Sequence, residues 1–194
     1  MLSKLVLAVL LLVSIFTISS FAVSVSVTRT TYQDDKGTLI YVYFVISSTL
    51  GSTTPSANTA TSPSSSSGSY SIAKSASAYV WSPQFSSSTA INAGTWVVDF
   101  WIAGSKSGSP VVWIYITNAA GVVQSTLVNG VSGSSISANV ETQVVMTFSL
   151  GSANIPASGY MEVQIQPPSA STGTLYWGVK QQTNFQVPYR MLSS

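Results

Sequence analysis

The feature that most constrains this chain is a series of short runs in which apolar and polar residues alternate with period two. Successive residues of a strand point to opposite faces, so each such run offers one apolar face to a core. Trp96, Val98, Phe100 and Ile102 share a face that Asp99 opposes. Val112, Ile114 and Ile116 face one way, while Trp113 and Tyr115 face the other. Val144, Met146, Phe148 and Leu150 alternate with Gln143, Thr147 and Ser149. Met161, Val163 and Ile165 alternate with Tyr160, Glu162, Gln164 and Gln166. Leu175, Trp177 and Val179 alternate with Tyr176 and Lys180, and further strands are expected at Ser77–Trp81, Gly121–Val128 and Phe185–Arg190. Leu39–Ile46 is apolar on both faces, as in a central strand covered on both sides. Turn residues separate the runs at Asn92-Ala93-Gly94, Gly104–Pro110, Asn118–Gly121, Asn129-Gly130, Ser158-Gly159 and Thr172-Gly173. With Val23–Thr31 included, about eight to ten strands emerge, and their spacing leaves no room for crossover helices. The expected fold is all-β: an antiparallel two-sheet sandwich, a jelly roll, preceded by an N-terminal hydrophobic signal helix.

The N-terminus reads as an export signal that runs directly into a strand. Lys4 precedes the aliphatic stretch Leu5–Phe16, and Ser20-Phe21-Ala22 supplies the small-x-small cleavage pattern. Residues 1–22 are therefore expected to be a signal peptide, or else a retained anchor, since Leu5–Val23 is close to the roughly 20 residues that cross a bilayer. Val23-Ser24-Val25-Ser26-Val27-Thr28 places valines on one face and hydroxyls on the other. Residues 23–37 are expected to be an N-terminal strand and linker, and residues 38–194 the sandwich. Asp34-Asp35-Lys36-Gly37 has turn chemistry, so the strand either closes a hairpin with Thr38–Ile46 or is donated to a neighbouring subunit. Residues 47–71, rich in Ser and Thr, are expected to form a long polar surface loop, with O-linked sugar as the alternative reading. No Asn-x-Ser/Thr sequon exists in the chain.

Charge and composition exclude several classes. Seven basic and five acidic residues give no basic patch for nucleic acid and no polybasic face for anionic lipid. Histidine and cysteine are both absent, which removes Ser-His-Asp, Cys-His and thiolate or imidazole metal sites. Asp34, Asp35, Asp99, Glu141 and Glu162 are the carboxylates of the whole chain. Asp99 and Glu162 lie on the solvent-side faces of their strands and would meet only if those strands were neighbours. The Asp34-Asp35-Lys36-Gly37 spacing offers too few donors for Ca²⁺, and the Ser-x-x-Lys spacing of Ser71–Lys74 carries little weight in so serine-rich a chain. The expectation is a chain that is not an enzyme and that takes no cofactor and no metal.

Outward aromatics are the stronger lead. Alternation points Trp101, Trp113, Tyr115 and Tyr176 away from the core faces, where such rings stack on sugars or anchor protein contacts. The competing reading is that the long loop or a second layer covers them. For assembly the candidates are Val23, Val25, Val27 and Arg29, with the valines filling pockets in a neighbour's groove. A head-to-tail contact of that kind does not close, and it yields a filament.

The leader ending at Ala22, the strand Val23–Thr31 and the Cys-free, charge-poor β head together resemble archaeal surface-filament subunits of the thread and bundling-pilus kind. A likeness to the bacterial biofilm-matrix fibre protein with a jelly-roll head is more distant. More locally, Gly94-Thr95-Trp96, Tyr160–Pro167, Leu175-Tyr176-Trp177-Gly178 and Asn184–Pro188 are similar to β-sandwich domains of secreted archaeal proteins. The resemblance implies a secreted structural subunit at the cell surface that polymerises through its N-terminal strand. Its partners would be copies of itself and surface glycans, with no nucleic acid, and with membrane only through the leader before cleavage. Thread subunits are rich in sequons, so their absence here favours the bundling-pilus side. Two alternatives stay open: a carbohydrate-binding β-sandwich of a cell-surface protein, and a type IV pilin-like subunit with a retained helix.

Overall fold

Among the described residues, backbone pairing forms thirteen strands. The computed structural model describes residues 38–44, 50–56, 59–60, 67–178, 181 and 183–189. The chain divides after residue 32 into two units, and the first lies wholly outside the described residues. The signal helix, Val23, Val25, Val27 and Arg29, and the turn at Asp34–Gly37 fall outside them too. In chain order the strands are β1 (Thr38–Phe44), β2 (Thr59–Ala60), β3 (Gly68–Ile72), β4 (Ala78–Trp81), β5 (Thr89–Ile91), β6 (Gly94–Gly104) and β7 (Val111–Thr117). There follow β8 (Val123–Ser132), β9 (Thr142–Leu150), β10 (Ala153–Ile155), β11 (Tyr160–Gln166), β12 (Gly173–Trp177) and β13 (Asn184–Tyr189). No helix among the described residues is long and apolar enough to cross a membrane.

Two sheets form the sandwich, and every strand pairing in them is antiparallel. One sheet has the order β4-β11-β7-β8. The other is seven-stranded, with β6 at its centre, β9 on one edge of β6, and β12 and β13 on the other. Following the chain, β3 lies in the larger sheet, β4 in the smaller, β6 in the larger, β7 and β8 in the smaller, β9 in the larger, β11 in the smaller and β12 in the larger. Strands that change sheet in this sequence make the jelly roll. A small third sheet pairs β10 with β5.

The larger sheet forks. Tyr176 of β12 lies opposite Trp101, and Asn184 of β13 lies opposite Asp99, so the two strands occupy successive stretches of the same β6 edge. Beyond that edge they part company: β12 pairs with β3, while β13 pairs with β1 from Asn184↔Tyr43 to Tyr189↔Thr38. Thr183 stitches the break, its hydroxyl accepting from the Trp101 amide at 3.3 Å and donating to the Tyr176 carbonyl.

Between the sheets lies one apolar core. Trp96, Val98, Phe100 and Ile102 of β6 meet Val112, Ile114 and Ile116 of β7 and Met161, Val163 and Ile165 of β11 in a single buried cluster. The expected inward faces of these strands are therefore the observed ones. The polar stretch 47–71 departs from expectation, because it is more than a loop. It contributes β3, whose Tyr70 and Ile72 pack on the core while Ser69 and Ser71 face out, and its Leu50 is wholly buried. Pairing with β12 supplies the backbone hydrogen bonds that hydroxyl-rich composition conceals. Asn129-Gly130, expected as a turn, lies inside β8, where the register shifts against β7 and Gly130 takes φ +65°.

Phe100 is wholly buried at the centre of the central strand. Phe100→Ala should lower unfolding free energy in a urea titration by about 3–5 kcal/mol.

Candidate functional site

Alternation sends every second side chain of the smaller sheet outward, and the registers arrange them in rows. Gln164 of β11 lies between Tyr79 of β4 and Trp113 of β7. One step along, Glu162 lies between Trp81 and Tyr115. Each row is aromatic, polar, aromatic. The flanking rings of a row are two strand spacings apart, about 10 Å. Trp113 lies against the β8 backbone: a Cβ at Gly130 would come within 3.0 Å of its indole nitrogen, so the missing side chain makes room for the ring.

The two polar residues act as a pair. Gln164 Nε2 donates to Glu162 Oε1 at 2.6 Å, and Glu162 is only 3 % exposed. Burial raises the Glu162 carboxyl above the usual carboxylate range, against the opposing effect of the Gln164 bond. Burial, followed by the charges of Glu162 and Tyr79, pushes the Tyr115 phenol up. The next row pairs Tyr160 with Thr117, and the Tyr160 ring meets Trp81 edge-on with centroids 6.0 Å apart.

Residues 50–56 cover this end of the face. Leu50 accepts from the Tyr79 amide at 2.6 Å, and Ser52 accepts from the Trp81 indole at 3.1 Å. Pro55 then reaches the turn between β7 and β8, where a Cβ on Gly121 would meet its Cδ at 2.8 Å. The segment thus runs from β4 to that turn over the ends of β11 and β7. The reading in which the long loop covers the aromatics holds at this end, whereas Tyr79, Trp113, Tyr115 and Gln164 stay partly exposed.

The four aromatics expected to form one platform are divided between the two outer faces. Trp113 and Tyr115 sit on the smaller sheet, while Trp101 and Tyr176 lie directly opposite each other on the larger. Beside that second pair, Asp99 accepts from Gln143 Nε2 at 3.0 and 3.1 Å, and burial raises its carboxyl. Gln181, in the link from β12 to β13, donates to Glu141 at 2.6 Å across β6, so this contact bridges the strand beside Trp101. Asp99 and Glu162 do not meet, because β6 and β11 belong to different sheets. Tyr79, Trp81, Gln164 and Thr117 were not among the expected site residues. The Ala78–Trp81 alternation carried the signal for the first two, but only pairing with β11 makes them neighbours of Glu162.

No protein-family model and no curated protein matches the chain. Among solved structures, the fold is similar to a CocE/NonD family hydrolase from Staphylococcus aureus, seen in two crystal structures with TM-scores of 0.60 and 0.59 at 8% and 9% identity. These alignments cover 80% and 78% of this chain but only 37% and 36% of the hydrolase, so the chain spans about a third of its length. A structure titled for CBM4 aligns over 60% of this chain and 94% of its own, with TM-score 0.31 and 17% identity. The expectation that the chain is not an enzyme is corrected by the hydrolase likeness. The fold occurs within larger catalytic chains, and an absence of histidine and cysteine from one sandwich leaves the chemistry of such a chain open.

The raised carboxyl of Glu162 sets a sign for pH dependence. The folded state holds this proton more tightly than the unfolded chain, so its contribution to stability is complete below the ordinary carboxylate range and is lost as pH rises through the folded value. Glu162→Gln keeps an acceptor for Gln164 and removes the buried charge. It should raise Tm at about pH 7 and leave it nearly unchanged at about pH 3, in thermal melts followed by near-ultraviolet circular dichroism.

Proposed function

We propose that this protein is a carbohydrate-binding β-sandwich, and that the outer face of the smaller sheet holds the sugar. The observation that carries this reading is the pair of rows Tyr79–Gln164–Trp113 and Trp81–Glu162–Tyr115. Tyr79, Trp113 and Tyr115, which are partly exposed, give a sugar its apolar stacking surface, and the Gln164 amide between them offers a donor and an acceptor for its hydroxyls, while buried Trp81 and Glu162 hold these residues in place from beneath. No Lys or Arg takes a place in these rows, which suits an uncharged glycan better than a phosphorylated one. The occurrence of this fold within a longer hydrolase chain is compatible with a module of this kind.

Soluble amylose, laminarin, mannan and xylan, titrated calorimetrically into the protein, test this reading. At least one should bind, and Trp113→Ala or Tyr115→Ala should weaken it roughly tenfold or more while the melting curve stays cooperative. Folded protein that binds none of them ends the proposal.

A second reading is assembly through the N-terminal strand. In its favour, β8 and β9 are outer strands of their sheets among the described residues, and they carry Val123, Val131 and Val145, each more than 40 % exposed. Open edges of this kind accept an added strand. On this reading, deletion of residues 23–31 abolishes filaments seen by negative-stain microscopy and leaves a soluble sandwich. Filaments that persist after the deletion exclude it.

A further inference from the structure

We propose that the outer face of the larger sheet is a second binding site, and that its ligand is a chain of amino sugars carrying free, protonated amines. The strand registers assemble the site. Trp101 lies between Gln143 of β9 and Tyr176 of β12, and Tyr176 in turn lies beside Ser69 of β3. The next row is Ala103, Thr174 and Ser71. Alternation turns both rows outward, and each of their residues is partly or fully exposed. Ala103, Thr174 and Ser71 have short side chains, so the rings of Trp101 and Tyr176 stand above them with a flank open to solvent. Neighbouring strands set the two aromatic residues about 5 Å apart, close enough to underlie one sugar ring together. The Thr174 hydroxyl and the Gln143 amide border them with donors and acceptors for sugar hydroxyls.

Charge selects the occupant. Asp99 is partly exposed on the same face, two residues before Trp101, and Glu141 is exposed one residue before β9. Each accepts from a glutamine, Asp99 from Gln143 and Glu141 from Gln181. An amide donor occupies part of a carboxylate's acceptor capacity and leaves its charge in place. No Lys or Arg takes a place in these rows, and Lys74 and Lys106 lie beyond the ends of β3 and β6. Aromatic faces bordered by two acids attract a cation through the rings and through charge together. A neutral sugar would engage only the rings and the polar groups. The smaller sheet differs in this respect, because its Glu162 is buried beneath the aromatic rows whereas Glu141 meets solvent. The assignment therefore does not depend on the glycan reading of that sheet.

Glucosamine oligomers and their fully N-acetylated counterparts of equal length separate charge from ring stacking. Titrated calorimetrically in mildly acidic, low-salt buffer, the glucosamine oligomer should bind, and the acetylated one should bind roughly tenfold more weakly or not at all. Raising salt to about 0.5 M should weaken the first. Trp101→Ala should weaken it roughly tenfold while the melting curve stays cooperative. Glu141→Gln, a surface change that keeps an acceptor for Gln181, should weaken it about threefold. Trp113→Ala, on the other sheet, should leave it unchanged. Equal affinity for the two oligomers overturns the proposal, as does binding indifferent to both Trp101→Ala and Glu141→Gln, or folded protein that binds neither oligomer. Each of these failures leaves the reading of the smaller sheet standing, since neutral polymers and Trp113→Ala decide that one.

Discussion

The register of β11 between β4 and β7 is the constraint on which the candidate site depends. Met161, Val163 and Ile165 must enter the core to meet Val112, Ile114 and Ile116. A slip of one residue would bury Glu162 and Gln164 among aliphatic side chains and expose three apolar ones. Burying an unpaired carboxyl costs far more than the core could return, so the apolar face enforces the pairing. The outer rows are its by-product. Tyr79, Trp81, Trp113 and Tyr115 flank Glu162 and Gln164 because the inner residues leave them no other neighbours.

Much of this was legible because alternation is a local signal. The run Tyr160–Gln166 expected from periodicity is β11, and the inward sets of β6, β7, β9 and β12 follow directly from their apolar parity. What alternation does not carry is which strands are neighbours. Trp101 and Trp113 have the same outward parity, yet they lie on opposite sides of the sandwich because β6 and β7 belong to different sheets. β3 escaped notice for another reason. Gly68–Ile72 has only two side chains directed at the core, and its stability comes from backbone pairing with β12, to which composition is blind. The same holds for Leu50, an isolated apolar residue in a polar stretch whose burial depends on lying alongside β4.

The two outer faces are built to different plans. On the smaller sheet the acid is hemmed in by rings and bonded to the next residue of its own face. On the larger sheet Asp99 is held by Gln143 from the neighbouring strand, with Asn184 opposite on the other side. In both cases burial raises the acid's carboxyl and a glutamine amide donates to it. Such groups hold their protons to higher pH than an exposed carboxyl does.

The way β1 lies on β13 governs how the sandwich responds to tension. Thr38 pairs with Tyr189 at one end of this ladder, so the flanking stretches of polypeptide leave from the same end. Force drawn through both would peel the two strands apart pair by pair, like a zipper, and would not shear all of their hydrogen bonds at once. Only the outer arm of the forked sheet takes that strain first, while β12 and β3, on the separate arm, stay clasped to β6.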